Sequence, residues 1–168
     1  MPDHQRTPWD EEAYLRRVRA ACFVCETLAG NPEYHHHVLY RDDATVVFLN
    51  RWPWLLGHVL VAPVRHLERV VGDFPVDDYL RLHRVLHATG LALERELPTE
   101  RLYVLSLGSQ QGNRHVHWHL VPLPPGVPYE EQQLAALGTE RGWLDVPAEE
   151  RADLADRLGS RLAGLLAD

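Results

Sequence analysis

The sequence holds no apolar run near the roughly 20 residues that a bilayer-spanning helix needs, so no membrane partner is expected. Residues 1–12 are polar and lack the apolar stretch of a secretory signal, which makes the cytoplasm the expected location. A basic excess is missing too. With 17 basic and 24 acidic side chains the formal net charge is −7, which argues against a non-specific nucleic-acid binder. Any phosphate site must therefore be built locally, from backbone N–H groups and a few cationic or neutral donors. Cysteine is scarce: only Cys22 and Cys25 occur. In a cytosolic chain their C-x-x-C spacing suggests a metal knuckle or a redox pair rather than a structural disulfide. The chain shows no internal repeat and no low-complexity tract.

What is present fits one domain with a proper core: 168 residues, 45% hydrophobic and 24% charged. Residues 9–21 read as a helix, acidic early and arginine-rich late, and Gly30-Asn31-Pro32 forms a loop. Of the 11 histidines, His35, His36 and His37 form a run that reads as a solvated loop or strand edge rather than a metal tract. Strands are expected at 37–40, 44–50, 57–63, 102–107 and 115–122. Between them, 76–96 carries an apolar stripe at helical spacing through Tyr79, Leu82, Val85, Leu86 and Leu93. A short helix is expected within 129–138. Pro147 opens an amphipathic helix whose Leu154, Leu158, Leu162, Leu165 and Leu166 share one face. This order implies an α+β fold with an antiparallel sheet and a long helix. It is flanked by an N-terminal helical segment (1–21) and a C-terminal helical extension (124–168) that covers either the domain or a partner.

The segment richest in chemistry is His115-Val116-His117-Trp118-His119-Leu120-Val121. On a strand, alternate side chains share a face, so the three imidazoles project together while Val116, Trp118 and Leu120 turn inward. Two chemistries use such a row. One is a zinc site with His115, His117 and His119 as ligands. The other is nucleophilic and acid–base catalysis at phosphorus, for which a neutral imidazole is suited.

The row matches the pattern His-φ-His-φ-His-φ-φ, with φ hydrophobic. Upstream, Phe48-Leu49-Asn50-Arg51-Trp52-Pro53 and Gly57-His58 through Pro63-Val64-Arg65-His66 complete a second stretch of the same kind. Together, over residues 22–123, they resemble the histidine triad (HIT) superfamily of nucleotide hydrolases and transferases. The resemblance implies a HIT-like fold, frequently homodimeric, acting on a purine nucleotide. It implies His117 as the nucleophile that forms a nucleotidyl-histidine at the α-phosphorus, with His119 and His58 contacting phosphate or moving protons. By the same matching, Asn50 binds the ribose and Phe23, Val24, Leu28 and Phe48 line the base pocket. Between 106 and 114 the sequence departs from the pattern. Ser106 stands where relatives carry Asn or Gln, and Gln111 or Asn113 replaces the usual phosphate-contacting serine. A third histidine in the row favours hydrolysis of a phosphoramidate or dinucleoside polyphosphate. The alternatives are a dinucleoside polyphosphate phosphorylase and a nucleotide-binding module with little turnover.

In zinc-containing branches of this superfamily the cysteine pair is completed by the Pro-x-x-His histidine and the first histidine of the row. The resemblance thus implies a closed, structural zinc site of Cys22, Cys25, His66 and His115.

Overall fold

The computed structural model describes residues 4–167. Strand β1 (Arg6–Thr7) leads into helix α1 (Glu11–Ala20), whose N-cap Asp10 accepts a hydrogen bond from the Ala13 N–H. A second helix, α2 (Phe23–Leu28), follows at once. Cys22 is its N-cap and Cys25 lies in its first turn, so the cysteine pair is held on a helix the sequence reading did not anticipate. Then come β2 (Val38–Arg41), β3 (Thr45–Leu49), β4 (Val59–Pro63), the long helix α3 (Val76–Glu96), β5 (Arg101–Leu105) and β6 (Trp118–Leu123). The C-terminal part adds α4 (Leu134–Leu137), β7 (Trp143–Leu144) and α5 (Ala148–Ala167). Among the described residues no helix is long and apolar enough to cross a membrane.

The five central strands form an antiparallel sheet in the order β2-β3-β4-β6-β5, and β1 pairs with β7 apart from it. The α+β architecture expected from the sequence is therefore present. Alternation along β3 and β4 divides the core in two. Val47, Leu49, Val59 and Val61 face a large cluster with Leu82, Val85 and Leu93 of α3 and Leu154, Leu158 and Leu162 of α5. Val46, Phe48, Leu60 and Ala62 face a smaller cluster on the other side, capped by Val24 of α2. The amphipathic C-terminal helix thus covers its own domain. Gly90 of α3 lets that helix lie close to β5, for a Cβ there would stand 3.0 Å from Leu102 Cδ2.

Two sequence expectations change. The helix expected within 129–138 shrinks to α4, because Tyr129 and Leu134 are exposed and only Ala136 finds a buried position. Gln133, with φ of 55°, breaks the turn before it. The strand expected from His115 begins instead at Trp118. The register pairs Val61 with Trp118, which would bring Pro63 opposite Val116, and proline has no N–H to extend the ladder. The Val116 N–H turns to the Leu67 carbonyl (2.7 Å), and the Pro63 carbonyl is taken by the His115 ring.

Candidate active site

Although the ladder starts late, the alternation holds through the whole histidine row. Val116, Trp118 and Leu120 enter the large core cluster, and His115, His117 and His119 lie buried on the opposite face. His58 joins them from the start of β4. Its turn depends on Gly57, whose φ of 80° and contact with the Leu97 side chain leave no space for a Cβ.

The backbone sets which nitrogen of each ring carries hydrogen. A carbonyl only accepts, so His117 donates from Nδ1 to the His115 carbonyl (2.8 Å) and keeps a lone pair on Nε2. The Trp54 N–H donates to His58 Nδ1 (3.3 Å), so His58 carries its hydrogen on Nε2 and gives it to His119 Nδ1 at 2.9 Å. His119 is left with its hydrogen on Nε2. Burial pushes all three rings toward the neutral form. His119 falls to about 3 through desolvation and the neighbouring His117, and His58 and His117 are lowered, first of all by desolvation. Trp54 stacks on His119 (4.9 Å between centroids, 15° between planes), and Phe23 meets His117 edge-on at 5.2 Å. Ser106 Oγ donates to the His117 carbonyl (2.8 Å), so it steadies the row from behind.

His117 and His119 open into a pocket of about 70 Å³. Phe23, Tyr34, His36 and Leu60 line it together with Asn50, Trp52 and Trp54, with Trp9 and Asn113, and with Tyr14, Arg17 and Val18 of α1. A larger cavity of about 390 Å³, between the β1–β7 sheet and the 122–128 segment, contains none of these histidines. The histidine row faces the smaller space.

Of the residues the sequence singled out, His117, His119, Asn50, Phe23 and Asn113 line this pocket, with His58 bonded behind His119. Val24 and Phe48 are fully buried beneath it, Leu28 packs with them, and Gln111 lies outside it. Asn50 also serves its own loop, for its Oδ1 accepts from the Trp52 N–H (3.1 Å). His36 corrects the reading of the 35–37 run as solvated. It is buried, donates from Nδ1 to the Tyr34 carbonyl (2.7 Å), and desolvation lowers it to about 4. The aromatic and α1 residues of the lining were not anticipated, since nothing local marks segments that meet only in the fold.

A family model for the HIT domain matches residues 31–125. This chain belongs to the HIT family. An uncharacterized HIT-like protein of Saccharolobus solfataricus is 28% identical over 104 residues, 60% of this chain and 73% of that protein. Among solved structures, a hypothetical histidine triad nucleotide-binding protein from Sulfolobus tokodaii superposes with a TM-score of 0.67 at 22% identity, covering 86% of this chain and 93% of the other. A zinc-bound histidine triad family protein from Mycobacterium smegmatis gives a TM-score of 0.66 at 20% identity, covering 89% and 98%. At these identities the structures establish the shared fold.

The HIT protein also carries a metal-capable cluster at the other end of its histidine row. One ligand atom from each of Cys22, Cys25, His66 and His115 lies within 4.8 Å of the others. The S–N separations are 3.5 Å (Cys22–His115), 3.4 Å (Cys25–His66) and 3.6 Å (Cys25–His115). Tetrahedral zinc with usual bond lengths places S and N ligands roughly 3.6 Å apart, so the residues fit that ion. His115 donates Nε2–H to the Pro63 carbonyl (2.9 Å), and His66 Nε2 faces Glu68 Oε1 (3.3 Å), which turns both Nδ1 atoms toward the thiols. Desolvation and the adjoining Cys22 raise the Cys25 thiol to about 11, a cost that a bound cation would offset. The alternative of one zinc held by His115, His117 and His119 has no support, because His115 has both ring nitrogens engaged away from the other two, Nε2 with the Pro63 carbonyl and Nδ1 with the thiols.

Proposed function

We propose that this HIT protein binds a purine nucleotide and transfers its nucleotidyl group through His117, as a hydrolase or transferase acting at the α-phosphate. The observation that carries the reading is the pair of opposite tautomers on the pocket floor. His117 offers a lone pair on Nε2, and His119 offers an N–H on Nε2. His117 Nε2 attacks the α-phosphorus and forms an N–P bond as the bond to the leaving group breaks. His119 donates a hydrogen bond where negative charge develops, and the His117 Nδ1–H bond to the His115 carbonyl stabilises the imidazolium that forms. Water then attacks the same phosphorus, the N–P electron pair returns to His117, and the proton passes to solvent with release of a nucleoside monophosphate. With inorganic phosphate as acceptor, the product is a nucleoside diphosphate.

Cys22, Cys25, His66 and His115 would hold one zinc ion in a closed, structural site. It would tie α2 to the base of the histidine row and supply folding energy rather than chemistry.

The test is a panel of adenosine and guanosine phosphoramidates and dinucleoside polyphosphates, with and without inorganic phosphate, quenched within the first turnover. The expected result is an acid-labile nucleotidyl adduct on the peptide containing His117. Turnover of every active substrate with no adduct, and at undiminished rate in His117→Ala, would overturn the covalent reading.

A further inference from the structure

For a chain of net charge −7, the pocket above His117 has an unusual lining: no carboxylate and one permanent cation, Arg17 of α1. Its guanidinium lies 4.6 Å from the centre of the Tyr34 ring and 5.5 Å from that of Trp52, and it donates to the Glu33 carbonyl. Arg51 arrives from the loop after β3, donates to the same carbonyl oxygen (2.7 Å) and also lies 5.5 Å from the Trp52 ring. Two like charges thus converge on a single neutral oxygen. Among the described residues neither forms a salt bridge with a carboxylate, although six other arginines do; the pair is set apart by sharing one carbonyl beside the pocket. An anion placed between the two guanidiniums would relieve their repulsion, and their planar forks match phosphate oxygens.

The helix is built to present this charge. Tyr14, Arg17 and Val18 occupy one face at i, i+3, i+4 spacing and all line the pocket, while α1 buries none of its residues in the core. The floor points the same way. An amine leaving group must gain a proton as its P–N bond breaks, whereas the oxygen of a phosphate chain can carry away the extra negative charge it acquires as the P–O bond breaks. His119, with its hydrogen on Nε2, offers that oxygen a hydrogen bond.

We propose that Arg17 and Arg51 form a clamp for phosphates beyond the one attacked by His117, selecting nucleotides whose leaving group is a phosphate chain over those with an amine. The clamp rests on the reading of this pocket as a nucleotide site. Titration of the wild type, Arg17→Met, Arg17→Lys and Arg51→Met with adenosine mono-, di- and triphosphate tests it, with circular dichroism and melting as folding controls. The wild type should bind the di- and triphosphate about tenfold or more tighter than the monophosphate, as charge-assisted bonds to phosphate imply. Arg17→Met should bring the three affinities within about threefold, the di- and triphosphate losing more than the monophosphate. Arg17→Lys should recover part of the preference, and Arg51→Met should reduce it. A preference that survives in both methionine variants overturns the clamp and leaves the nucleotide reading standing. Failure of all three nucleotides to bind the wild type overturns both.

Discussion

His115 and His117 lie two residues apart, project from the same face of one extended segment and are both buried, yet they present opposite ring nitrogens. His115 spends Nε2 on the Pro63 carbonyl and turns Nδ1 to the thiols of Cys22 and Cys25. His117 spends Nδ1 on the His115 carbonyl and keeps Nε2 for the pocket. Burial and residue type do not distinguish the two; the nearest backbone carbonyl does. One row of identical side chains thereby presents Nδ1 to a metal-capable cluster at one end and, in the proposed function, a nucleophilic Nε2 at the other.

The largest expected effect comes from breaking the nucleophilic end. His117→Ala should lower kcat by about 10³-fold or more while leaving metal content and melting temperature close to wild type, because no ligand of the cluster is touched. First-turnover kinetics alongside metal analysis checks both halves. Equal loss of metal and of turnover would show that the two ends do not act independently.

Breaking the metal end should act on stability. Cys25→Ala removes one of four ligands, and since metal binding is linked to folding the melting temperature should fall by about 10 °C or more. Protein purified without added zinc or chelator should contain one zinc per chain, and strong chelators should shift the wild type toward the variant. Well-folded protein free of stoichiometric metal, with melting indifferent to chelators, would remove zinc from the account.

This division was partly legible in the sequence. The long helix spans Val76–Glu96, as its apolar stripe indicates, and Cys22, Cys25, His66 and His115 come together from three separate segments. Strand alternation placed the three imidazoles on one face, but not which nitrogen each would offer. That depends on carbonyls brought near by Pro63 and by the path of the chain before Trp118. The aromatic cluster beside the pocket was hidden for a related reason. Trp9 and Tyr14, Trp52, and Trp143 come from three distant segments and form a chain of ring contacts with centroids 4.5–6.4 Å apart. His36 was misread because a histidine run looks solvated until Thr27, Tyr34 and Phe48 close around it.

His36 offers a sharper test of what burial does to an imidazole remote from the cluster. Its folded value of about 4 lies below the roughly 6.5 of an unfolded chain. As pH falls, the unfolded state takes up the proton first. Its stabilising contribution is therefore full above about pH 6.5 and is lost as pH falls toward about 4. The loss should be on the order of 2–3 kcal/mol. Urea unfolding from pH 7.5 to 4.5 should show a shallower acid limb for His36→Gln than for the wild type. Parallel limbs would mean that His36 is protonated in the fold at pH 5.

The smallest effect concerns Asn50, where a loop-holding role and a substrate-binding role meet in one amide. Its Oδ1 already accepts from the Trp52 N–H, a common duty for Asn in turns, but a carbonyl oxygen has a second lone pair and the side chain lines the pocket. If those remaining sites engage the ribose hydroxyls, Asn50→Ala should weaken ribonucleotide binding by about 1–3 kcal/mol. Part of that loss would come from the loop, since releasing Trp52 loosens the wall it forms. A 2′-deoxynucleotide separates the two contributions. It should bind the wild type more weakly and lose less on mutation, because one of the groups Asn50 would have bonded is already gone. Calorimetry of both nucleotides against both proteins closes a double-mutant cycle, and a coupling of about 0.5 kcal/mol or more assigns the ribose contact. Strict additivity would leave Asn50 as a residue that shapes the Trp52 loop and donates its side-chain N–H to the His58 ring.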